Sequence, residues 1–181
     1  MCDQCACGQK PCPGSLTLLT GDSGSGKTTW VTRGIPAAFA SYEAVGVLCP
    51  AVFEAGEKVA IEAWLLPTRR RVTLARRRDL VDCMPEGDKG LGWVFDNDAV
   101  GMVNGHLARL DSRRAVGITP LLVLDELGVL ELVHGTGFTA GLELLDTAVF
   151  PTAIAVVRPA LLATAQRRWE SVYPQINIVT L

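Results

Sequence analysis

Gly21-Asp22-Ser23-Gly24-Ser25-Gly26-Lys27-Thr28 sets three glycines, a lysine and a hydroxyl in the spacing G-x-x-x-x-G-K-[ST]. Glycine reaches backbone conformations that a Cβ blocks. Successive N–H groups can then converge as an anion nest at the positive end of a helix. In such a loop Lys27 reaches β- and γ-phosphates and the Thr28 hydroxyl ligates Mg²⁺. The expected nucleotide contacts are Gly21, Asp22, Ser23, Gly24, Ser25, Gly26, Lys27, Thr28 and Thr29.

Such a site also needs an acid at the end of another strand to hold the water shell of the metal. The apolar run Leu121-Leu122-Val123-Leu124 ends in Asp125-Glu126 and supplies one. Asp125 is expected to hold Mg²⁺ through water. Glu126 is expected to act with Lys27 in catalysis, polarising the attacking water as general base. The alternative role for the pair is to cap the N-terminus of a helix.

These groups require a scaffold, and the hydrophobic pattern describes one. Ser15–Thr20 is a short, β-prone apolar run before the loop, and a helix opens at about Lys27, interrupted or bent by Gly34 and Pro36. Val45–Leu48, Lys58–Leu66, Arg71–Ala75 and Gly92–Phe95 read as strands, the middle two as a hairpin-like excursion. Asp96 or Asn97 caps a helix expected to run to about Arg114. Beyond the Leu121–Leu124 strand, helices are expected over Phe138–Thr147 and Ala160–Val172, with strands at Thr152–Val157 and Ile176–Thr180. Continuous apolar strands alternating with helices imply an α/β three-layer sandwich, its sheet mostly parallel and covered on both faces. The expected organisation is a Cys-rich segment over residues 1–14 and one P-loop domain over 15–181.

Asp125-Glu126-Leu127-Gly128-Val129-Leu130-Glu131-Leu132 resembles the D-E-[IL]-G-x-[ML]-E-[LF] signature of a small P-loop nucleoside-triphosphatase family. That family is known from hyperthermophiles and from humans, where it is called the cancer-related nucleoside triphosphatase. Gly21–Thr29 is similar to its G-x-x-G-x-G-K-T-T loop, Val45–Leu66 to its strands after the first helix, and Ala153–Arg158 to its late strand. The resemblance implies a RecA-like or kinase-like P-loop core and slow, Mg²⁺-dependent hydrolysis of ATP, GTP and other nucleotides with little base selectivity. Glu131 matches the second glutamate of the signature. Two features are this chain's own and point to a specialised member: the N-terminal cysteines, and Val157-Arg158-Pro159 where a His-Arg pair is expected.

Cys2, Cys5, Cys7 and Cys12 supply four thiols, enough for Zn²⁺ or an iron–sulfur cluster. Such a site beside the phosphate loop would make the chain a nucleotide-switched metal or cofactor delivery protein, with a metalloprotein or redox partner. It would also permit oligomerisation through shared ligands; the plain alternative is a reactive tail. Cys49 and Cys83 read as core residues. A third reading is a nucleoside or small-molecule kinase, which needs an acceptor pocket and a lid.

The bulk properties narrow the partners. A net charge of −2 gives no general pull toward nucleic acid or acidic lipid, and 49% hydrophobic residues over 181 positions can fill a core. The N-terminus has no secretory pattern and no apolar run is long enough to cross a bilayer, so a cytoplasmic location is expected. The arginines at 69–71 and 76–78 read as a solvated hairpin, because no aromatic platform is interleaved. Arg158, Arg167 and Arg168 are candidates to stabilise γ-phosphate charge. His106 and His134 are too far apart to suggest a metal site. Trp30, Trp64, Trp93 and Trp169 fit core positions or a base-stacking wall, and Trp30 is placed to touch a nucleotide.

Overall fold

The computed structural model describes residues 14–38, 42–82, 92–110, 119–150 and 152–181, without the side chains of 34–38. Cys2, Cys5, Cys7, Cys12 and Cys83 lie outside these residues.

The apolar runs form strands β1 (Ser15–Thr20), β2 (Tyr42–Leu48), β7 (Thr119–Leu127), β8 (Thr152–Val157) and β9 (Gln175–Thr180). All four pairings among them are parallel, in the spatial order β2-β7-β8-β1-β9. The hairpin excursion extends this sheet as an antiparallel wing. It consists of β3 (Ala51–Glu54), β4 (Glu57–Leu66), β5 (Arg70–Arg77) and β6 (Trp93–Phe95). The strand β4 joins β2, and β3, β5 and β6 follow from it.

Residues of β7 alternate between two cores, as a strand buried on both faces must. Leu121 and Val123 join the cluster of Leu19, Ile154 and Val156 on the side of α1 (Lys27–Ala38), which adds Val31. Leu122 and Leu124 join the larger cluster beneath α2 (Asn97–Leu107), α4 (Thr139–Asp146) and α5 (Leu162–Trp169). The four-residue helix α3 (Val129–Leu132) links β7 to α4. Each layer therefore follows from which face of a central strand its residues cover. No helix among the described residues is long and apolar enough to cross a membrane.

Several boundaries differ from expectation for local reasons. The helix α1 continues through Gly34 and Pro36 to Ala38. Asp96 caps α2, its Oδ1 accepting from the N–H groups of Asp98 (2.9 Å) and Ala99 (3.1 Å). The same helix stops at Leu107, well short of Arg114, where Arg109 N–H bonds to His106 O (3.1 Å) and Leu110 N–H to Leu107 O (3.1 Å). These i→i+3 bonds tighten and end it. The last helix is shorter than its apolar pattern, because Pro159–Leu161 forms a 3₁₀ turn ahead of it.

Glycine is required where chains come close. At Gly46, in the middle of β2, φ is +119° and an added Cβ would lie 2.1 Å from the Val123 carbonyl oxygen. The β2–β7 pairing depends on that missing side chain.

Candidate functional site

The loop between β1 and α1 takes up the backbone states that its glycines were expected to allow. Gly24 and Gly26 have φ of +83° and +91° with open space around them, so conformation alone selects glycine there. At Gly21 the constraint is also contact: a Cβ would meet Leu181 O at 2.5 Å and Ser25 Oγ at 2.7 Å. Lys27 folds back over the loop, its Nζ donating to Gly21 O (2.7 Å) and Asp22 O (2.6 Å). The ammonium thus sits within the ring of backbone that it would share with a phosphate chain.

Asp125 lies at the end of β7 and is buried. Its Oδ2 accepts from Cys49 N–H at 3.0 Å, and the Thr28 hydroxyl lies beside the same carboxylate. Burial raises its pKa to about 6. The bonds from Cys49 and Thr28 oppose that rise, and so does the nearby Lys27 charge. The structure therefore brings Lys27, Thr28 and Asp125 together. A raised carboxylate beside a hydroxyl is a hard-oxygen donor pair short of positive charge, which fits Mg²⁺. Cys49, expected as a core residue, is buried, and burial pushes its thiol pKa well up. Its backbone N–H is the part that serves the site, a role that no side-chain motif signals.

Glu126 is placed by an irregularity. Leu124 pairs with Ala155 and Leu127 with Val157, so β7 holds one more residue than β8 across this span. Glu126 takes φ +71°, unusual for a side chain of this kind. In a regular strand Asp125 and Glu126 would point to opposite faces. The bulge re-aims them, and the Cys49 thiol feels both carboxylates. Glu126 Oε1 accepts from Arg158 Nη2 at 3.1 Å. Arg158 follows β8 directly, so adjacent parallel strands deliver the acid and its cation.

Glu131 does something else. Its Oε2 accepts from Gly128 N–H at 2.8 Å and its Oε1 from Phe138 N–H at 3.0 Å. The buried carboxylate clamps the turn between β7 and α4, and burial raises its pKa against the pull of these bonds. A Cβ at Gly137 would fall on Glu131 Oε1, so that glycine makes room for the clamp. The second glutamate of the signature is thus architectural, and its spacing from Asp125 gave no sign of this.

The remaining candidates separate by position. Arg168 is held by Asp146 through two bonds of 2.8 and 2.6 Å, and Trp169 Nε1 donates to the same carboxylate at 2.8 Å. Arg167 Nη2 bonds to its helix neighbour Thr164 Oγ1, at 3.5 Å. Of the three candidate arginines, Arg158 is the one beside the site. Arg71 lies over the Trp64 ring at 4.4 Å, and Arg77 pairs with Glu57 (2.8 Å) and Asp79 (2.7 Å). Trp169 is core, and Trp30 packs against the core on the α1 side. His106 Nε2 lies 3.0 Å from Leu66 O. Among the described residues no group of three His, Cys, Asp or Glu side chains could hold a metal ion by themselves.

No curated protein matches the sequence. Two solved structures align with the fold at a TM-score of 0.64 each. One is the solution structure of a human cancer-related nucleoside triphosphatase, 18% identical, covering 92% of this chain and 88% of that one. The other is the crystal structure of THEP1 from the hyperthermophile Aquifex aeolicus, 13% identical, covering 92% and 89%. A family profile described as NTPase matches residues 17–168, a span that holds the phosphate loop, the Asp125-Glu126 bulge and Arg158, and the chain therefore belongs to the NTPase family.

Proposed function

We propose that this protein is a cytoplasmic, Mg²⁺-dependent nucleoside triphosphatase that converts ATP and GTP to the diphosphate and inorganic phosphate. The observation that carries the reading is the buried Asp125 carboxylate at the end of β7, with the Thr28 hydroxyl and the Lys27 charge beside it. It sets the phosphate loop beside the acidic strand end. Membership of the NTPase family supports the same reaction class.

Each group then has a defined task. The amides of residues 21–28 and the Lys27 ammonium bind the β- and γ-phosphates. Thr28 directly, and Asp125 through water, would hold Mg²⁺, which when bound neutralises charge on the β- and γ-oxygens. Glu126 accepts a proton from the attacking water. The water oxygen bonds to Pγ, the bridging Pγ–O bond breaks, and its electron pair leaves with the diphosphate. Arg158 exchanges its bond with Glu126 for the oxygens of the phosphoryl group being transferred. The loop groups assigned here would recognise phosphates and none of them a base, which supports activity on both ATP and GTP.

The test is phosphate release from ATP and GTP by the wild-type protein and by Lys27→Ala. The variant should lose turnover by about 10²-fold or more, as removal of preorganised transition-state charge does. Hydrolysis by Lys27→Ala at the wild-type rate would remove the proposal.

A further inference from the structure

Water as the only nucleophile does not account for the cavity next to Glu126. It has a volume of about 350 Å³. A water molecule occupies roughly 30 Å³ of the liquid, whereas small-molecule sites begin near about 300 Å³. Its wall on the wing side is Ile61, Leu74, Trp93 and Phe95, and Val100 of α2 closes another side. Trp93 and Phe95 are alternate residues of β6 and so share one face of the strand. Among the described residues that line the cavity, four are charged or ionisable: Cys49, Glu126, Glu131 and Arg158. The Cys49 thiol is kept neutral by burial, and both Glu131 oxygens are engaged by backbone N–H groups. Polar recognition is left to the half-exposed Glu126–Arg158 pair.

Building on the nucleotide site proposed above, we infer that this cavity receives a second substrate, a flat aromatic or heteroaromatic alcohol. Its ring lies against Trp93 and Phe95 and its hydroxyl points at Glu126. The protein then transfers the γ-phosphoryl group to that hydroxyl. The acceptor oxygen bonds to Pγ, the bridging Pγ–O bond breaks, and its electron pair leaves with the diphosphate. The hydroxyl proton passes to Glu126 and then to solvent. Glu126, the neighbour of Asp125 in the chain, lines the cavity, and on the roles proposed above that end faces the γ-phosphate. The base of the nucleotide leaves from the other end of the phosphate chain.

The experiment uses the full chain with Mg²⁺ and γ-³²P-labelled ATP. The acceptor probes are benzyl alcohol, 4-(hydroxymethyl)pyridine and 5-(hydroxymethyl)pyrimidine, with inorganic phosphate and phosphate esters separated. The expected result is label in an ester of at least one probe. Val100→Trp, which fills the cavity away from the phosphate loop, should cut ester formation by about tenfold or more while phosphate release without probe stays within about twofold. If that variant does not fold by thermal melting, Val129→Trp replaces it, entering from a residue that lines the cavity but is 44% exposed. Three results overturn the inference: inorganic phosphate alone with every probe, ester formation untouched by filling the cavity, or a large rise in KM for ATP in the filled variant, which would place the base there. Absence of both phosphate and ester in the wild type would instead sink the nucleotide reading beneath it.

Discussion

Asp125→Asn should make the nucleotide-free protein more stable and inactive at once. In the folded chain the Asp125 carboxyl has its pKa raised from the ordinary 3.8 to about 6, chiefly by burial. Unfolding therefore releases a carboxyl that ionises more readily, so charge at this position favours the unfolded state. The cost is absent when both states are protonated, below the unfolded value. It grows as pH rises between the two values and is constant above the folded one. The linkage relation gives about 1 kcal/mol at pH 4.5 and about 3 kcal/mol at pH 8. Asparagine can still accept from Cys49 N–H without carrying the charge. In chelator-treated protein at pH 8, Asp125→Asn should melt about 6–12 °C above wild type, a gain that shrinks to about a third at pH 4.5. Adding Mg²⁺ and ATP should stabilise the wild type far more than the variant. Melting by circular dichroism at the two pH values, with and without nucleotide, measures all of this. Equal stability of variant and wild type at pH 8, or an identical gain at both pH values, would refute the reasoning that this carboxylate is held charged at a cost for the sake of a cation.

Two other substitutions separate the proposed catalytic acid from the architectural one, and a third tests the approach of β2 to β7. Glu126→Gln should lower kcat by about 10²–10⁴-fold through loss of the base, while its half-exposed pair with Arg158 limits the stability change to about 1 kcal/mol; turnover within twofold of wild type would contradict the assignment. Glu131→Ala leaves Gly128 N–H and Phe138 N–H without their acceptor and should cost about 2–4 kcal/mol in urea unfolding. An unchanged urea midpoint would show that the clamp is not needed. Gly46→Ala puts a Cβ against the Val123 carbonyl and should destabilise by about 3 kcal/mol or more, or prevent soluble expression. A variant with wild-type melting would mean that β2 and β7 can separate cheaply.

The sequence was most informative where one physical signal dominated. Continuous apolar runs mark β1, β7 and β8 because both of their faces are buried. The glycines of the phosphate loop are legible because the needed backbone states leave few other choices. Elements escape where no such pattern exists. The strand β3 is half exposed, with a register shift in four residues, and α3 is too short to show a helical period. Gly46 did carry a readable sign, an isolated glycine inside an apolar strand. The approach of Thr28 to Asp125, the Cys49 amide and the Glu126–Arg158 pair join residues from different elements, so no local pattern could announce them.

One irregularity explains why two adjacent acids can do different work. A regular β7 would turn Asp125 toward one sheet face and Glu126 toward the other, and only one could reach the site. The extra residue opposite β8 and the left-handed turn at Glu126 break that alternation at the point where the strand leaves the sheet. Asp125 stays in the wall, desolvated and fixed by Cys49 and Thr28. Glu126 swings to the rim, within reach of Arg158 and of the cavity beside it. Under the proposed roles, burial suits Asp125, which would wait for a metal's charge, and partial exposure suits Glu126, which would accept and release a proton. The backbone strain at Glu126, of order 1–3 kcal/mol for such a conformation, is therefore the cost of separating two functions across a single peptide bond.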